Sequence, residues 1–319
     1  FPPDFNSQIH PGDMPNVKKI TFPYYSQFDK EIIAETFPEL TEITFGPNFN
    51  KPINPGAMPN VKKISFGVSS QFNQPIEKDT FSLLEEITFG ENFNSKIEPD
   101  AMPKVKKITF PNYSQFNKPI EEGTFPELEE ITFGEEFNSK INPRSMTNVK
   151  KIVFVKDSEF NKPIEKDTFE LLEEITFGKD FNSQIHPGAM PNVKEIVFGS
   201  QFNQPILEGT FPKLEKIKFG FNFNSQIQPG AMPKVTEIDF SRAYMFNQPI
   251  LEGTFKELEE KEINFSSSYK SSYDIIYDEN RKFIESKRKE TTGGFRKLSK
   301  KTKNRRYKKS KISKISKKK

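Results

Sequence analysis

The chain has no cysteine and no tryptophan, and only 2 of its 319 residues are histidine. Without thiols it builds no disulfide framework, thiolate zinc site, iron–sulfur cluster or cysteine nucleophile. Imidazole chemistry is confined to His10 and His186. Apolar residues are scarce too: 33% of the chain is hydrophobic, and 34 residues are Phe. So few apolar side chains support a fold only if they are placed with great regularity. No run approaches the ~18 apolar residues of a membrane-spanning helix, and no secretory leader opens the sequence. The first residue is Phe1 rather than Met, which implies a preceding segment.

The net charge of +4 conceals two unlike regions. Residues 281–319 carry 19 Lys and Arg against 2 Glu, whereas residues 1–280 carry 29 basic and 42 acidic residues. An acidic body precedes a strongly basic end, and each implies its own partners.

A repeat organises the body. A Phe-Asn pair, once Phe-Asp, begins at Phe5, Phe28, Phe49, Phe72, Phe93, Phe116, Phe137, Phe160, Phe181, Phe202, Phe223 and Phe246, spaced by 21 or 23 residues. From each Phe, apolar residues recur at fixed offsets; in the fourth unit these are Ile76, Phe81, Leu84, Ile87 and Phe89. Units this short, interrupted by Pro and Gly, cannot hold a helix pair. The Ile-x-Phe end alternates with period two and reads as a short strand, and segments such as Pro-Gly-Ala-Met-Pro-Asn read as turns. One strand and one turn per unit make one coil of a solenoid, whose coils bury each other's apolar faces. The expected fold is a β-rich solenoid over 1–265, with twelve coils of 21–23 residues and one parallel strand each. A capping helix over 266–290 and a disordered basic tail over 291–319 are expected to follow. The helix is read from Tyr269, Tyr273, Ile276, Tyr277, Phe283 and Ile284 at helical spacing, with Ser271 and Asp274 as a capping box. The Asn after each Phe is expected to face inward and bond the turn backbone of adjacent coils.

Units alternate in kind, so the underlying period is two coils. Odd units carry Met and Val inside, as at Met58 and Val61, and even units Phe and Leu, as at Phe81 and Leu84. Lys18-Lys19, Lys62-Lys63, Lys106-Lys107 and Lys150-Lys151 interleave with Glu42, Glu85-Glu86, Glu129-Glu130 and Glu173-Glu174. On a parallel sheet this places unlike charges on neighbouring rungs and fixes register, although each exposed pair contributes only about 0.2–1 kcal/mol. From the ninth unit the pattern changes, and Glu195, Lys216, Lys218, Glu237 and Asp239 become candidate partner-binding residues. The longer units add residues to the loop after the strand, including Tyr24, Tyr25, Tyr113 and Tyr244. Aromatic residues on loops of a rigid scaffold are candidate anchors.

Phe-Asn-Gln-Pro-Ile at 72–76, 202–206 and 246–250, and Phe-Pro-x-Leu-x-x-Ile-x-Phe-Gly as at 125–134, resemble the FNIP repeat. That repeat is a short relative of the leucine-rich repeat, seen in slime-mould and giant amoebal-virus proteins. The resemblance spans about 1–265 and implies a leucine-rich-repeat-like solenoid with an adaptor or host-facing role. Family proteins often place an F-box ahead of the repeats, and none is visible here. Five of the twelve units depart from the motif, reading Phe-Asn-Ser-(Gln/Lys)-Ile.

No glycine-rich phosphate loop, nucleophile elbow or metal spacing is present, and the two His stand eight coils apart. The expectation is a non-enzymatic scaffold with no cofactor and no small-molecule substrate, displaying a ladder surface to a protein partner. Two other classes remain open: a structural or virion protein whose first coil stacks on another chain, and a nucleic-acid-associated protein. The latter would act through 296–319, where Arg305, Arg306, Lys308, Lys309, Lys317, Lys318 and Lys319 can neutralise phosphates or meet an anionic surface. The same residues could direct nuclear targeting, and an intracellular location, cytoplasmic or nuclear, in a virion or in an infected host cell, is expected.

Overall fold

The computed structural model describes residues 1–255, Leu258, 263–265, 273–277 and 283–288. Twelve short strands form one parallel sheet in strict chain order. They are β1 (Lys19–Thr21), β2 (Glu42–Phe45), β3 (Lys63–Phe66), β4 (Glu86–Thr88), β5 (Lys107–Thr109) and β6 (Glu130–Phe133). The series continues with β7 (Lys151–Phe154), β8 (Glu174–Thr176), β9 (Glu195–Val197), β10 (Lys216–Lys218), β11 (Glu237–Phe240) and β12 (Ile263–Phe265). Each strand belongs to one Phe-Asn unit, so the twelve coils read from the sequence are the twelve rungs of the sheet. The register pairs Ile with Ile throughout, as in Ile43↔Ile64 and Ile217↔Ile238. The rungs bury Ile, and Phe behind it, and turn Lys, Glu and Thr outward. This period-two division between core and water is what selects a strand here.

Phe fills the interior in two columns. One column is the Phe of each Phe-Asn pair, with successive rings 5.6–5.9 Å apart, as in Phe28–Phe49 and Phe223–Phe246. The other is the strand Phe, and it packs against the first at 3.7–4.4 Å, as in Phe198–Phe202 and Phe22–Phe28. Rings stay within 26° of parallel, an offset stack that adds directional attraction to the burial of apolar area.

The Asn residues form an unbroken ladder. Each Oδ1 accepts the backbone N–H of the corresponding residue one coil later at 2.7–3.0 Å, over eleven steps from Asn6 to Asn247. The bonding to neighbouring coils is as expected, but the side chains are half-exposed or exposed rather than inward. The two Phe columns occupy the interior and leave the Asn at its margin. Asp29 serves in the ladder because the required role is acceptor; its Oδ1 takes the N–H of Asn50, and its Oδ2 meets Lys51.

Opposite the sheet lies a second parallel contact not legible in the repeat. It joins Ile32↔Ile53, Ile76↔Ile97, Ile120↔Ile141, Ile164↔Ile185 and Ile206↔Ile227. Every bridge links an even coil to the odd coil after it. The same junctions carry backbone bonds such as Glu35 N–H to Gly56 C=O and Phe81 N–H to Ala101 C=O. Among the described residues, the junctions before coils 2, 4, 6, 8 and 10 have no backbone bond on this side, and the junction before coil 12 has one, from Gly230 N–H to Gly253 C=O. Backbone groups of successive strand residues point to opposite neighbours. Ile76 bonds forward to coil 5, so the donor toward coil 3 would come from Pro75, which has no N–H. Pro119, Pro163 and Pro205 hold the same position. The core shows the same pairing: strand-Phe rings lie 5.0 Å apart within the pairs Phe45–Phe66 and Phe89–Phe110, and 6.1 Å across Phe66–Phe89 and Phe110–Phe133.

Seven positions after each Phe, every coil turns through a left-handed residue. Seven of these are Gly, and the others are Glu35, Asp79, Asp100, Arg144 and Asp167, with φ of 60–62°. Glycine takes this conformation without a Cβ penalty, whereas other L-residues are strained there.

The chain divides into two units between Lys287 and Arg288. The helix expected within 266–290 is not found. The described residues there are strands β13 (Tyr273–Tyr277) and β14 (Phe283–Arg288), paired in a separate two-stranded sheet. Tyr-Asp-Ile-Ile-Tyr and Phe-Ile are aromatic and β-branched, so strand preference prevails over a spacing that also suits a helix. The tail expected over 291–319 lies outside the described residues.

Candidate partner-binding faces

The exposed side of the sheet carries two columns of charge. In the inner column the register runs Lys19, Glu42, Lys63, Glu86, Lys107, Glu130, Lys151 and Glu174. Ion pairs follow it: Lys19–Glu42 at 3.0 Å, Lys63–Glu86 at 2.9 Å, Lys107–Glu130 at 3.0 Å and Lys151–Glu174 at 2.6 Å. These four cross the junctions before coils 2, 4, 6 and 8, which the opposite side leaves without backbone bonds. The hydrogen bond that Lys63 donates to Glu86, and then the Glu86 charge, holds the Lys63 ammonium above the usual lysine range. Glu174 does the same for Lys151. In the outer column the Lys62 hydrogen bond holds the Glu85 carboxyl below the usual range.

The inner alternation slips by one rung at coil 9. Glu195 lies directly beside Glu174 in the register, where the pattern calls for Lys. The outer column does not slip, and Lys194 pairs with Glu173 at 2.9 Å. Glu195 makes no ion pair among the described residues, and Lys216 on the next rung turns to Glu237 at 3.5 Å. In the third outward column Thr gives way to Val197, Lys218 and Asp239, with Lys218 between the other two. Glu195, Lys216, Lys218, Glu237 and Asp239 thus share one face over three adjacent rungs.

The loops after the strands form one edge of the solenoid. In four of the five long loops a buried serine pins the tip, and in the fifth, on coil 11, the buried residue is Ala243. Ser26, Ser70, Ser114 and Ser158 each accept the N–H of the Phe two residues on, at 3.2 Å. Each rests against a glycine of the next coil, namely Gly46, Gly90, Gly134 and Gly178, where a Cβ would collide with the serine. Backbone bonds run from tip to tip: Glu91 N–H to Val68 C=O, Gln115 N–H to Glu91 C=O and Glu135 N–H to Asn112 C=O, each 2.8 Å. The tips are therefore fixed in position, and their apolar side chains stand in water. Tyr24, Tyr25 and Tyr113 are on this edge, as expected, and so is Tyr244, but they do not form a single site. Tyr24 and Tyr25 on coil 1 stand four coils from Tyr113 and ten from Tyr244. Sequence reasoning missed Val68, Phe221 and Met245, which are also exposed on this edge. The signal was their place in the same loop as the tyrosines. Phe221 and Tyr244 are in contact, with ring centroids 5.3 Å apart.

His186 lies 3.7 Å from Glu165, and His10 is exposed far away. Among the described residues no cluster of His, Asp or Glu could hold a metal ion, and no helix is long and apolar enough to cross a membrane. Arg305, Arg306, Lys308, Lys309, Lys317, Lys318 and Lys319 lie outside the described residues.

No curated protein sequence matches this chain. Among solved structures it is similar to CroV588, described as a novel circular LRR protein, with 25% identity and a TM-score of 0.56. That match covers 86% of this chain and 46% of CroV588. A TLR13–ssRNA13 complex also matches, at 10% identity and a TM-score of 0.34, over 81% of this chain and 46% of that one. The chain spans less than half the length of either solved chain. The FNIP repeat family matches residues 28–69, 72–113, 160–201, 191–221 and 202–242, over half the sequence. Four of these segments coincide with the bridged coil pairs 2–3, 4–5, 8–9 and 10–11. This chain belongs to the FNIP repeat family and folds as a leucine-rich-repeat-like parallel β-solenoid.

Proposed function

We propose that the protein is a non-enzymatic scaffold that binds a protein partner through its sheet face at coils 9–11 and through the tips of its post-strand loops. The observation that carries this reading is the slip of the inner charge column at Glu195. Elsewhere the column neutralises itself; at coil 9 it sets Glu195 beside Glu174, and the neighbouring column adds Lys218 and Asp239, an order that register alone does not explain. Fixed loops with exposed aromatic residues support the same reading, because rigid anchors bind at little entropic cost.

The test is affinity capture on the immobilised full-length chain, compared with the double variant Lys216→Glu/Lys218→Glu at matched melting temperature. Proteins retained by the wild type and lost on charge reversal support the proposal. Equal recovery by both chains refutes it. A second activity is favoured by the excess of 19 basic over 2 acidic residues in 281–319: binding of nucleic-acid phosphates, weakening steeply with salt. Retention of duplex DNA after deletion of 291–319 would exclude the tail as its source.

A further inference from the structure

The loop edge of coils 1–6 repeats in a way that defines the shape of what it binds. Tyr25 is 72% exposed, Val68 59% and Tyr113 67%, on the tips of coils 1, 3 and 5; Tyr25 and Tyr113 immediately precede the pinning serine, and Val68 stands one residue earlier. Rungs of a parallel sheet are spaced by about 4.8 Å, so these apolar residues recur every ~9.6 Å. Coil 2 carries Pro47 and Asn48 here, whereas the even rungs after it carry carboxylates: Glu91 on coil 4, tied to Val68 by its N–H and to Gln115 by its C=O, then Glu135 and Glu136 on coil 6. None of the three makes an ion pair among the described residues. From Val68 the edge reads apolar, acidic, apolar, acidic, at one-rung steps.

We infer that this edge is a docking surface for a basic amphipathic α-helix of a protein partner. The inference rests on reading the loop tips as partner-binding elements. One heptad of helix rises about 10.5 Å, close to two rungs, and residues three or four on rise about 4.5–6 Å, close to one. A helix with apolar residues at one heptad position and Lys or Arg three or four residues later meets both rows along one stripe. A β-strand cannot do so, because residues on one of its faces recur at about 6.6 and 13 Å. A polyproline helix repeats near 9.3 Å but places nothing midway on the same face. The charge is complementary to Glu91, Glu135 and Glu136, and opposite charges favour association and its orientation.

The test presents the full-length chain with two displayed peptide libraries, one of amphipathic helices and one of extended, proline-spaced peptides, randomised to equal composition. The expected winners are helices with apolar residues seven apart and Lys or Arg between them. An enriched helix, labelled and followed by anisotropy, should lose about tenfold or more in affinity on Tyr113→Ala. The variant Glu91→Gln/Glu135→Gln should weaken it further and flatten its salt dependence. Both sites are surface positions, and an unchanged melting temperature confirms folding. Enrichment of extended peptides that depend on Tyr113 would overturn the helix and leave the scaffold reading intact. Winners from either library that are indifferent to Tyr113→Ala, or no enrichment at all, would remove the edge as a binding surface. Self-association abolished by Tyr113→Ala would reassign it to a second copy of the chain. The coils 9–11 charge-reversal experiment is independent of all these outcomes.

Discussion

Replacing Ser145 with alanine should stabilise the solenoid, and the repeat shows by how much. Ser145 is fully buried, and its hydroxyl has no hydrogen-bond partner. At the equivalent position coil 1 carries exposed Asp13, and the other odd coils carry Ala57, Ala101, Ala189 and Ala231, all completely buried. The site is thus shaped for a methyl group, and the hydroxyl is desolvated without compensation. Such a group costs about 1–3 kcal/mol in proteins. Removing the oxygen forfeits a few contacts of about 0.1–0.2 kcal/mol each, so desolvation wins. For a chain of this size the gain corresponds to roughly 2–5 °C in melting temperature. Urea unfolding is the better assay, because a rise in midpoint at constant slope isolates stability from changes in cooperativity. The reciprocal variant Ala101→Ser should lower the midpoint by a similar amount. If Ser145→Ala is neutral or destabilising while Ala101→Ser is tolerated, the coil interior holds a hydroxyl acceptor and the argument from repeat equivalence fails.

Glu195→Gln should stabilise by about 0.2–1 kcal/mol at low ionic strength by removing the like-charge neighbour of Glu174, and the gain should vanish near 1 M salt. Asn138→Ala removes the acceptor for the Asn161 N–H and should cost about 1 kcal/mol, whereas Asn138→Asp should cost less, as Asp29 already fills that role; chemical denaturation separates the two. Gly199→Ala should be the most damaging single change, lowering the urea midpoint by more than any of these, because the new Cβ would overlap the carbonyl of Gly178. Stability against pH should fall at both ends. Lys63 and Lys151 have raised values, so their contribution is complete below the normal lysine range and is lost as pH rises through the folded value. Glu85 has a lowered value, so its contribution is present above the normal carboxylate range and is lost as pH falls through the folded value. The urea midpoint should be flat from about pH 5 to pH 10 and decline on either side.

The rungs were legible because each coil depends on its neighbours: a position facing the common core must be apolar twelve times, as the Ile and Phe columns are. Register was legible from Lys19, Glu42 and Lys63, since unlike charges must meet on adjacent strands. The Asn ladder was legible as bonding but not as burial, because Asn reveals its need for partners and not how deeply the neighbouring Phe rings let it sit. The bridges through Ile32, Ile76 and their equivalents escaped notice, since a single Ile flanked by polar residues has no period. Glu35, Asp79, Asp100, Arg144 and Asp167 look like ordinary turn residues; only their alignment with Gly12 and Gly56 reveals the left-handed backbone. Tyr273, Ile276 and Tyr277 satisfied helical spacing and strand preference equally, and spacing was the wrong guide. On the candidate faces, Tyr25 and Tyr113 were visible as unexpected aromatics, whereas Val68 was hidden by its resemblance to core valines.

The bridging of coils two by two sets the step by which such an array can lengthen. Duplication or loss of a bridged pair restores every neighbour relation: Phe-Leu meets Met-Val, Glu meets Lys, and each proline again faces a junction that needs no donor. Gain or loss of a single coil sets like beside like along the whole height of one seam. Copy number in this lineage should therefore drift in twos, and an odd change should survive only with compensating substitutions at the scar.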